Sequence, residues 1–234
     1  MNKRFVICSA SSTDVYLWAD DINKLNLLSN VKEYDGYNLI SSNNIEPLTK
    51  VYNGMLDDII KDRLVDYAVF IHADVEIDDL HFFDKIIASE FDLVGVAAAT
   101  AIDINVTPLS WYNAAKDVRD RRGSITHMID SKPYLNAYGP PGCPDTARCL
   151  CLDGVCMIMN RKAIDSGLRF DERFAFDFYD MDLSFEAVLN HKLSIGVEPI
   201  HLIHHSIGEG IMKDSYKIAE KTFKDKWMPV LNQT

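Results

Sequence analysis

Short apolar segments alternate with amphipathic segments along the first hundred residues of this 234-residue chain, and this alternation is the strongest constraint on its fold. The predicted strands are brief and rich in β-branched or aromatic residues, and they cover residues 4–9, 37–41, 67–71 and 92–99. The predicted helices repeat apolar residues at a spacing near 3.6 and cover residues 14–28, 48–61 and 80–88. Strands that alternate with helices predict an α/β fold with a mainly parallel central sheet flanked by helices.

The second half of the chain begins with a long segment, residues 100–150, that has many Pro, Gly and aromatic residues but no sustained periodicity. A segment of this length inside a compact domain is typical of a binding loop or a lid. Regular structure is predicted again over residues 152–160. Beyond it, strands are predicted at residues 193–197 and 199–203, and helices at residues 182–190 and 212–227. No linker or internal repeat interrupts the chain, so we expect one domain over residues 1–234.

The overall composition excludes several classes of function. With 35 acidic and 24 basic residues the net charge is -11, which argues against binding to nucleic acid or to an anionic membrane. No apolar stretch approaches the ~18 residues of a membrane span, so we expect no integral membrane segment and a cytoplasmic protein. The five cysteines form no CxxC pair, which favours reduced thiols over a zinc site or a disulfide.

Polar residues follow the predicted strand Tyr67–Ile71 directly. His72, Asp74 and Glu76 occupy alternate positions, so they lie on one side of the chain if it stays extended. Ionisable groups at the end of a buried strand are costly unless a positive partner or a divalent cation compensates them. This end of a parallel strand is also where open α/β sheets bind ligands. The alternative is that the carboxylates cap the helix that follows.

Three further groups of ionisable residues occur later in the chain. Asp153 interrupts an apolar stretch. Asp180 and Asp182 lie where a helix begins, and one of them can serve as its N-cap or as a partner of the helix dipole. Together with Asp177, these two carboxylates raise at least one pKa among the three unless a cation or a hydrogen-bond donor neutralises their charge. His204 and His205 end an apolar strand, where a lone histidine is more often a core residue than a ligand.

The order and spacing of these motifs resemble those of the GT-A glycosyltransferases, specifically the family 2-like group, over roughly residues 4–208. The motifs that carry the resemblance are His72-Ala73-Asp74, Asp153-Gly154, Phe170-Asp171-Glu172-Arg173-Phe174, Tyr179-Asp180-Met181-Asp182-Leu183 and His204-His205-Ser206-Ile207-Gly208. The resemblance implies a Rossmann-like nucleotide-diphospho-sugar transferase domain. It also implies the transfer of a sugar from a nucleotide sugar, with a UDP-sugar favoured, to a glycan or other hydroxyl acceptor with inversion.

In this family a DXD motif binds the divalent ion that bridges the donor diphosphate, and Asp74 matches its last carboxylate. His72 replaces the first acid of the motif, and both residues are expected at the donor. Glu76 can supply a compensating carboxylate. His204 or His205 matches the histidine that completes the metal site. Oxygen ligands with one imidazole suit Mn²⁺ or Mg²⁺ better than Zn²⁺.

The resemblance also assigns the catalytic and nucleotide-binding residues. Asp180 matches the candidate base of the family, although Tyr179 replaces the preceding Glu; Asp153 competes for that role, and Asp182 belongs to the same motif. Residues 1–99 are expected to form the nucleotide-binding half, and residues 100–234 the acceptor-side half with the C-terminal helix. The residues expected near the nucleotide base are Ser9, Ala10, Ser11, Tyr52 and Asn53.

Two other classes of function fit parts of the same pattern. A metal-dependent phosphate or sugar-phosphate hydrolase would use Asp74 and His204 to activate water, but the aromatic segment 100–150 suits a larger acceptor. A noncatalytic nucleotide-sugar-binding module would not need Asp153 and Asp180 beside the metal ligands.

Overall fold

The computed structural model describes residues 3–12, 35–205 and 213–231. The predicted helix over residues 14–28 and the Ser-Ile-Gly part of the last motif lie outside these residues. The strands are β1 (Arg4–Ala10), β2 (Asp35–Ser41), β3 (Tyr67–Ile71), β4 (Val75–Ile77), β5 (Leu93–Gly95), β6 (Ala97–Ala99), β7 (Arg121–Ile129), β8 (Lys132–Ala137), β9 (Ala147–Arg148), β10 (Cys151–Leu152), β11 (Cys156–Asn160), β12 (Ile195–Val197) and β13 (Leu202–His204). The α-helices are α1 (Leu48–Lys61), α2 (Phe82–Ala88), α3 (Trp111–Ala114), α4 (Arg161–Asp165), α5 (Tyr179–Phe185) and α6 (Asp214–Leu231).

A seven-stranded sheet with the order β2-β1-β3-β11-β5-β12-β9 forms the centre of the fold. The pairs β1–β2, β1–β3 and β5–β12 are parallel. The pairs β3–β11, β5–β11 and β9–β12 are antiparallel. The α/β class is confirmed, but the prediction of a mainly parallel sheet is wrong, because β11 enters between β3 and β5 in the opposite direction.

A second sheet, β10-β6-β7-β13-β4, packs beside the first, and β8 pairs with β7. The predicted strand 92–99 therefore divides: β5 belongs to the first sheet and β6 to the second. The β7–β8 hairpin falls in the segment for which no regular structure was expected. Its turn residues Asp130 and Ser131 both have positive φ, 49° and 60°, as a two-residue primed turn requires. This turn lacks the glycine that normally reveals such a hairpin, and β8 is almost entirely exposed.

Aromatic side chains connect the first sheet to the helices that cover it. The rings of Tyr52 on α1 and Phe70 on β3 lie 4.9 Å apart, and both pack against Phe170. All three side chains are at most 2% exposed. Burial of large aromatic groups of this kind supplies much of the apolar free energy that stabilises a core.

The C-terminal helix α6 is anchored by a partly buried group of charges around Lys226. Its Nζ atom lies 3.0 Å from Asp171, 2.8 Å from Asp182 and 2.9 Å from Glu186. The indole N–H of Trp227 donates a second hydrogen bond to Asp182, at 2.7 Å. Asp182 is fully buried, so these donors replace the water that its carboxylate would otherwise bind. Among the described helices, none is both long enough and apolar enough to cross a bilayer.

We predict that Lys226→Met destabilises the fold by about 3–5 kcal/mol at pH 8, because it leaves the carboxylate of Asp182 buried beside two other acids without its cation. Urea unfolding measures this loss. Lys217→Met, on the same helix, removes only the exposed pair with Asp214 and should change the free energy of unfolding by less than about 0.5 kcal/mol. Equal losses in the two variants would contradict the anchoring role of Lys226.

Candidate active site

The polar string after β3 forms a turn instead of continuing as an extended strand. The backbone N–H of Val75 donates to the carbonyl of His72 at 3.3 Å, and β4 starts at Val75. Strand β13 runs antiparallel to β4 and pairs His204 with Val75. The turn and this pairing bring the side chain of His204 next to that of Asp74. Glu76, in contrast, is a residue of strand β4.

Three side chains, His72, Asp74 and His204, can offer ligand atoms that all lie within 4.8 Å of one another. The Nε2 atom of His204 is 3.3 Å from Oδ1 of Asp74. Burial opposes ionisation of Asp74, but the hydrogen bond and charge of His204 hold the pKa of its carboxyl below the ordinary value. Two imidazoles and one carboxylate suit a divalent cation, so we call these three residues the triad.

The ring of His72 is held by Tyr179, the first residue of α5. The Nε2 atom of His72 is 2.7 Å from the Tyr179 hydroxyl, which donates its own proton to the carbonyl of Gly154 at 2.8 Å. Because a hydroxyl has only one proton, it accepts from an Nε2–H group of His72. The lone pair of this imidazole is then on Nδ1. Burial also lowers the pKa of His72, which favours the neutral form that binds metals.

A pair of carboxyl groups lies across the same cleft. Asp153 follows β10, and its two oxygens accept hydrogen bonds from the Trp111 indole at 2.6 Å and from the backbone N–H of Val155 at 2.8 Å. Asp180 lies in the first turn of α5 and accepts from the backbone N–H groups of Gly154 at 2.9 Å and of the residue that follows it at 2.8 Å. Both carboxyl groups are thus fixed in orientation by N–H donors.

The surroundings of Asp180 change its affinity for a proton. Burial, and then the negative charge of nearby Asp153, raise the pKa of Asp180 to about 7. The backbone N–H groups that contact Asp180 oppose this shift but do not cancel it. Asp180 is therefore able to accept or release a proton near neutral pH, as a general base must.

The triad and the carboxyl pair line one open cleft with a volume of about 1410 Å³. This volume is ample for a ligand larger than a typical drug-sized molecule. Within the described part of the lining, the charged residues are five acids and one lysine: Glu46, Asp74, Asp153, Asp177, Asp180 and Lys213. An anionic ligand would need a bound cation to enter a cleft with this balance of charge.

Of the five residues predicted near a nucleotide base, three line the cleft and two do not. The cleft lining includes three of them: Ala10, Ser11 and Tyr52. Ser9 is buried at the end of β1, with 1% of its surface exposed. The side-chain amide of Asn53 instead makes two hydrogen bonds with the backbone of Phe170, at 2.9 and 3.0 Å. These bonds tie α1 to the segment before α5, which is a structural role.

Three predicted site residues are not brought to the triad or to the carboxyl pair. Asp182 lies among the charges that anchor α6, and burial raises its pKa to about 6 despite its hydrogen bond to Lys226. Glu76 and His205 pair with each other at 3.4 Å. Of the two candidate histidines, His204 is therefore the one that lies beside Asp74. The third member of the triad is His72, and Glu76 is not part of it.

The sequence pattern did not identify His127 as a site residue. It lies on β7, lines the cleft, and its ring centroid is 5.4 Å from that of His204. No signal pointed to His127, because β7 itself was not predicted. The role of Trp111 was missed for a different reason: its aromatic character was evident, but the fold alone brings its indole to Asp153.

We predict that Asp153→Asn moves the titration of Asp180 from about pH 7 to a lower pH, because the charge that helps to raise the Asp180 pKa is removed while its burial remains. The ¹³C chemical shifts of labelled aspartate carboxyl groups in metal-free protein measure this change. Asp117→Asn, at an exposed site, should leave the Asp180 titration where it is. An unchanged midpoint in Asp153→Asn would show that the two carboxyl groups do not interact.

No protein-family model and no curated protein sequence matches this chain. Its fold is similar to a protein from STIV (12% identity, TM-score 0.44, covering 90% of this chain and 98% of the other). It is also similar to an inositol-1-phosphate CTP transferase from T. maritima (8%, 0.44, 96% and 97%) and to a glycosyltransferase involved in the glycosylation of the major capsid of PBCV-1 (10%, 0.38, 93% and 90%). These three TM-scores are all below 0.5, so these similarities carry no conclusion about function.

Proposed function

We propose that this chain is a metal-dependent glycosyltransferase that moves a sugar from a nucleotide-sugar donor to an acceptor hydroxyl with inversion. The observation that carries the proposal is the convergence of His72, Asp74 and His204 at one side of a cleft whose other side presents Asp153 and Asp180. In this proposal residues 1–99 supply most of the donor side of a single domain, and residues 100–234 supply the acceptor side.

The charge of the cleft supports an anionic donor only in combination with a cation. A nucleotide sugar leaves a diphosphate behind, and negative charge accumulates on its oxygens as the glycosidic bond breaks. A divalent ion held by the triad would stabilise that leaving group without proton transfer. The five carboxylates of the cleft would otherwise repel the diphosphate. A UDP-sugar remains the favoured donor, with Mn²⁺ or Mg²⁺ as the ion.

We assign the role of general base to Asp180. Its raised pKa allows it to remove a proton from an acceptor hydroxyl near neutral pH, when the carboxylate and the acid are both populated. Asp153 keeps that pKa high by its charge, and Trp111 and Val155 fix its orientation toward the cleft. Both carboxyl groups thus contribute to turnover, although only Asp180 takes the proton in this assignment.

A panel of UDP- and GDP-sugars, each with and without Mn²⁺, tests the proposal by thermal stabilisation and by product formation. Stabilisation by a single donor only when metal is present, followed by transfer or by slow hydrolysis of that donor, supports the transferase. Rapid release of inorganic phosphate from sugar phosphates would favour the metal-dependent hydrolase. Metal-dependent donor binding without turnover under any acceptor would favour the noncatalytic module.

Substitutions of the two sides of the cleft should have different effects. We predict that Asp74→Asn abolishes metal-dependent donor binding, because the triad loses its only carboxylate. Asp180→Asn should retain donor binding and lower kcat by about 10²–10⁴-fold, the usual contribution of a general base. Asp153→Asn should also bind donor and lose turnover. Isothermal titration with the donor and steady-state kinetics separate these effects.

Asp78→Asn is the matched control for Asp74→Asn. Asp78 is also an acid that follows β3, but it is exposed and pairs with His201 at 3.3 Å, away from the triad. Donor binding and kcat should be unchanged in this variant. Normal activity in Asp74→Asn would rule out the metal site as the origin of donor binding.

A further inference from the structure

We propose that the outer edge of β8 is a self-association surface, at which two copies of this chain pair antiparallel through residues Lys132–Ala137. The inference is independent of the proposed function, because it concerns the β7–β8 hairpin and no member of the triad or of the carboxyl pair. It depends on the exposed apolar side chains of β8, on the direction of its outer backbone groups and on the charge of the hairpin.

Strand β8 has an open edge that carries apolar side chains. Among the described strands it pairs only with β7. Five of its six residues are exposed, and Tyr134 and Leu135 keep 60% and 58% of their surfaces in solvent. Ile129, just before the turn of the hairpin, is also exposed. Single exposed apolar residues need no explanation, but a group of them along an open strand edge is a template for pairing with another chain.

The strands at the ends of the two described sheets are better protected than β8. Strands β4, β9 and β10 have only two or three residues each, and short edge strands are a usual way to prevent unwanted pairing. Strand β2 is longer, but its apolar side chains Tyr37, Leu39 and Ile40 pack against the core. Among these described edges, β8 therefore combines length with exposed apolar side chains.

The register of the hairpin decides which backbone groups of β8 face outward. The N–H group of Tyr138, the residue after β8, donates to the carbonyl of Gly123 at 3.0 Å. In an antiparallel pair, residues that bond to the neighbouring strand alternate with residues whose backbone groups face away from it. The even-numbered residues of β8 therefore bond to β7, and the residues that face the open edge are Pro133, Leu135 and Ala137.

These outward groups are complementary to a second copy of themselves. When two β8 strands run antiparallel with their Leu135 residues opposite each other, these two residues exchange both of their backbone hydrogen bonds. The N–H group of each Ala137 then meets the carbonyl of Pro133 in the other copy. Because Pro133 has no N–H group, the reciprocal bond to Ala137 is missing, which makes the association weaker than a full ladder.

The charge of the hairpin allows a second copy to approach. The whole chain has a net charge of -11, so two copies repel each other overall. The paired residues 124–137 contain one acid, Asp130, and one base, Lys132, so this part of the chain has no net charge. Like charges directly opposite each other would destabilise the pairing, but across the two-fold axis only Leu135 faces its own copy. The hairpin is therefore a surface through which this acidic chain can meet itself.

Sedimentation equilibrium of the full chain at physiological salt, from about 1 µM to about 1 mM, tests the inference. We expect reversible dimerisation with a dissociation constant on the order of 10–100 µM, because one strand edge buries less surface than a standard interface. Hydrogen exchange measured by NMR gives a residue-specific result. The amides of Leu135 and Ala137 should become protected as the concentration rises, whereas that of Asn136, already bonded to β7, should change little.

Two outcomes of these measurements would overturn the inference. The first is a chain that stays monomeric over the whole concentration range, which would leave the β8 edge to a different partner. The second is a dimer in which the exchange rates of the Leu135 and Ala137 amides do not change, which would place the interface elsewhere.

Three variants make the test specific. Leu135→Lys sets two like charges opposite each other and should raise the dissociation constant of the dimer by at least about tenfold. Leu135→Pro removes the outward N–H group without adding charge, and it should weaken the dimer as well. Leu64→Lys is the matched control: it makes the same change of charge at a leucine that is 70% exposed outside the hairpin, and it should dimerise normally.

Circular dichroism of each variant verifies that it is folded before its association is interpreted. Normal dimerisation of the folded Leu135→Lys and Leu135→Pro variants would contradict the assignment of the interface to β8. Equal weakening in Leu64→Lys would show that the net charge of the chain, and not the edge of β8, controls the association.

Discussion

The peptide groups of Gly154 hold the two sides of the candidate site together. The carbonyl accepts the hydroxyl proton of Tyr179, which orients His72, and the N–H group donates to Asp180. Both contacts come from one residue because Tyr179 and Asp180 are consecutive at the start of α5. His72 and Asp180 are therefore positioned by the same backbone residue, and the absence of a side chain at Gly154 makes this possible.

The sequence predicted the local elements better than it predicted the pairing of the strands in the sheet. The bounds of β3 and α1 match the prediction, because their apolar patterns are strong and tertiary contacts do not alter them. Nothing in the pattern of β11 shows its direction relative to β3, since a strand buried on both faces reads the same either way. The hairpin of β7 and β8 was missed because exposed strands carry little alternation.

The sequence places His72, Asp74 and Glu76 on one side only if the chain after β3 stays extended. The chain instead turns at His72, and Glu76 lies beside His205 and outside the triad. The two departures from the resembling family, His72 for an acid and Tyr179 for a glutamate, lie 107 positions apart in the sequence. They contact each other at 2.7 Å, which only the folded chain reveals.

The two carboxylates on α5 lie in different environments on opposite sides of one short helix. Asp180 and Asp182 are two positions apart, or about 200° around a helix, so they face away from each other. Asp180 lines the cleft, and Asp182 forms an ion pair with Lys226 on α6. The contact between Asp182 and Lys226 therefore fixes the short helix on whose other side Asp180 lies. In the proposed function, the position of the general base thus depends on a lysine that does not line the cleft.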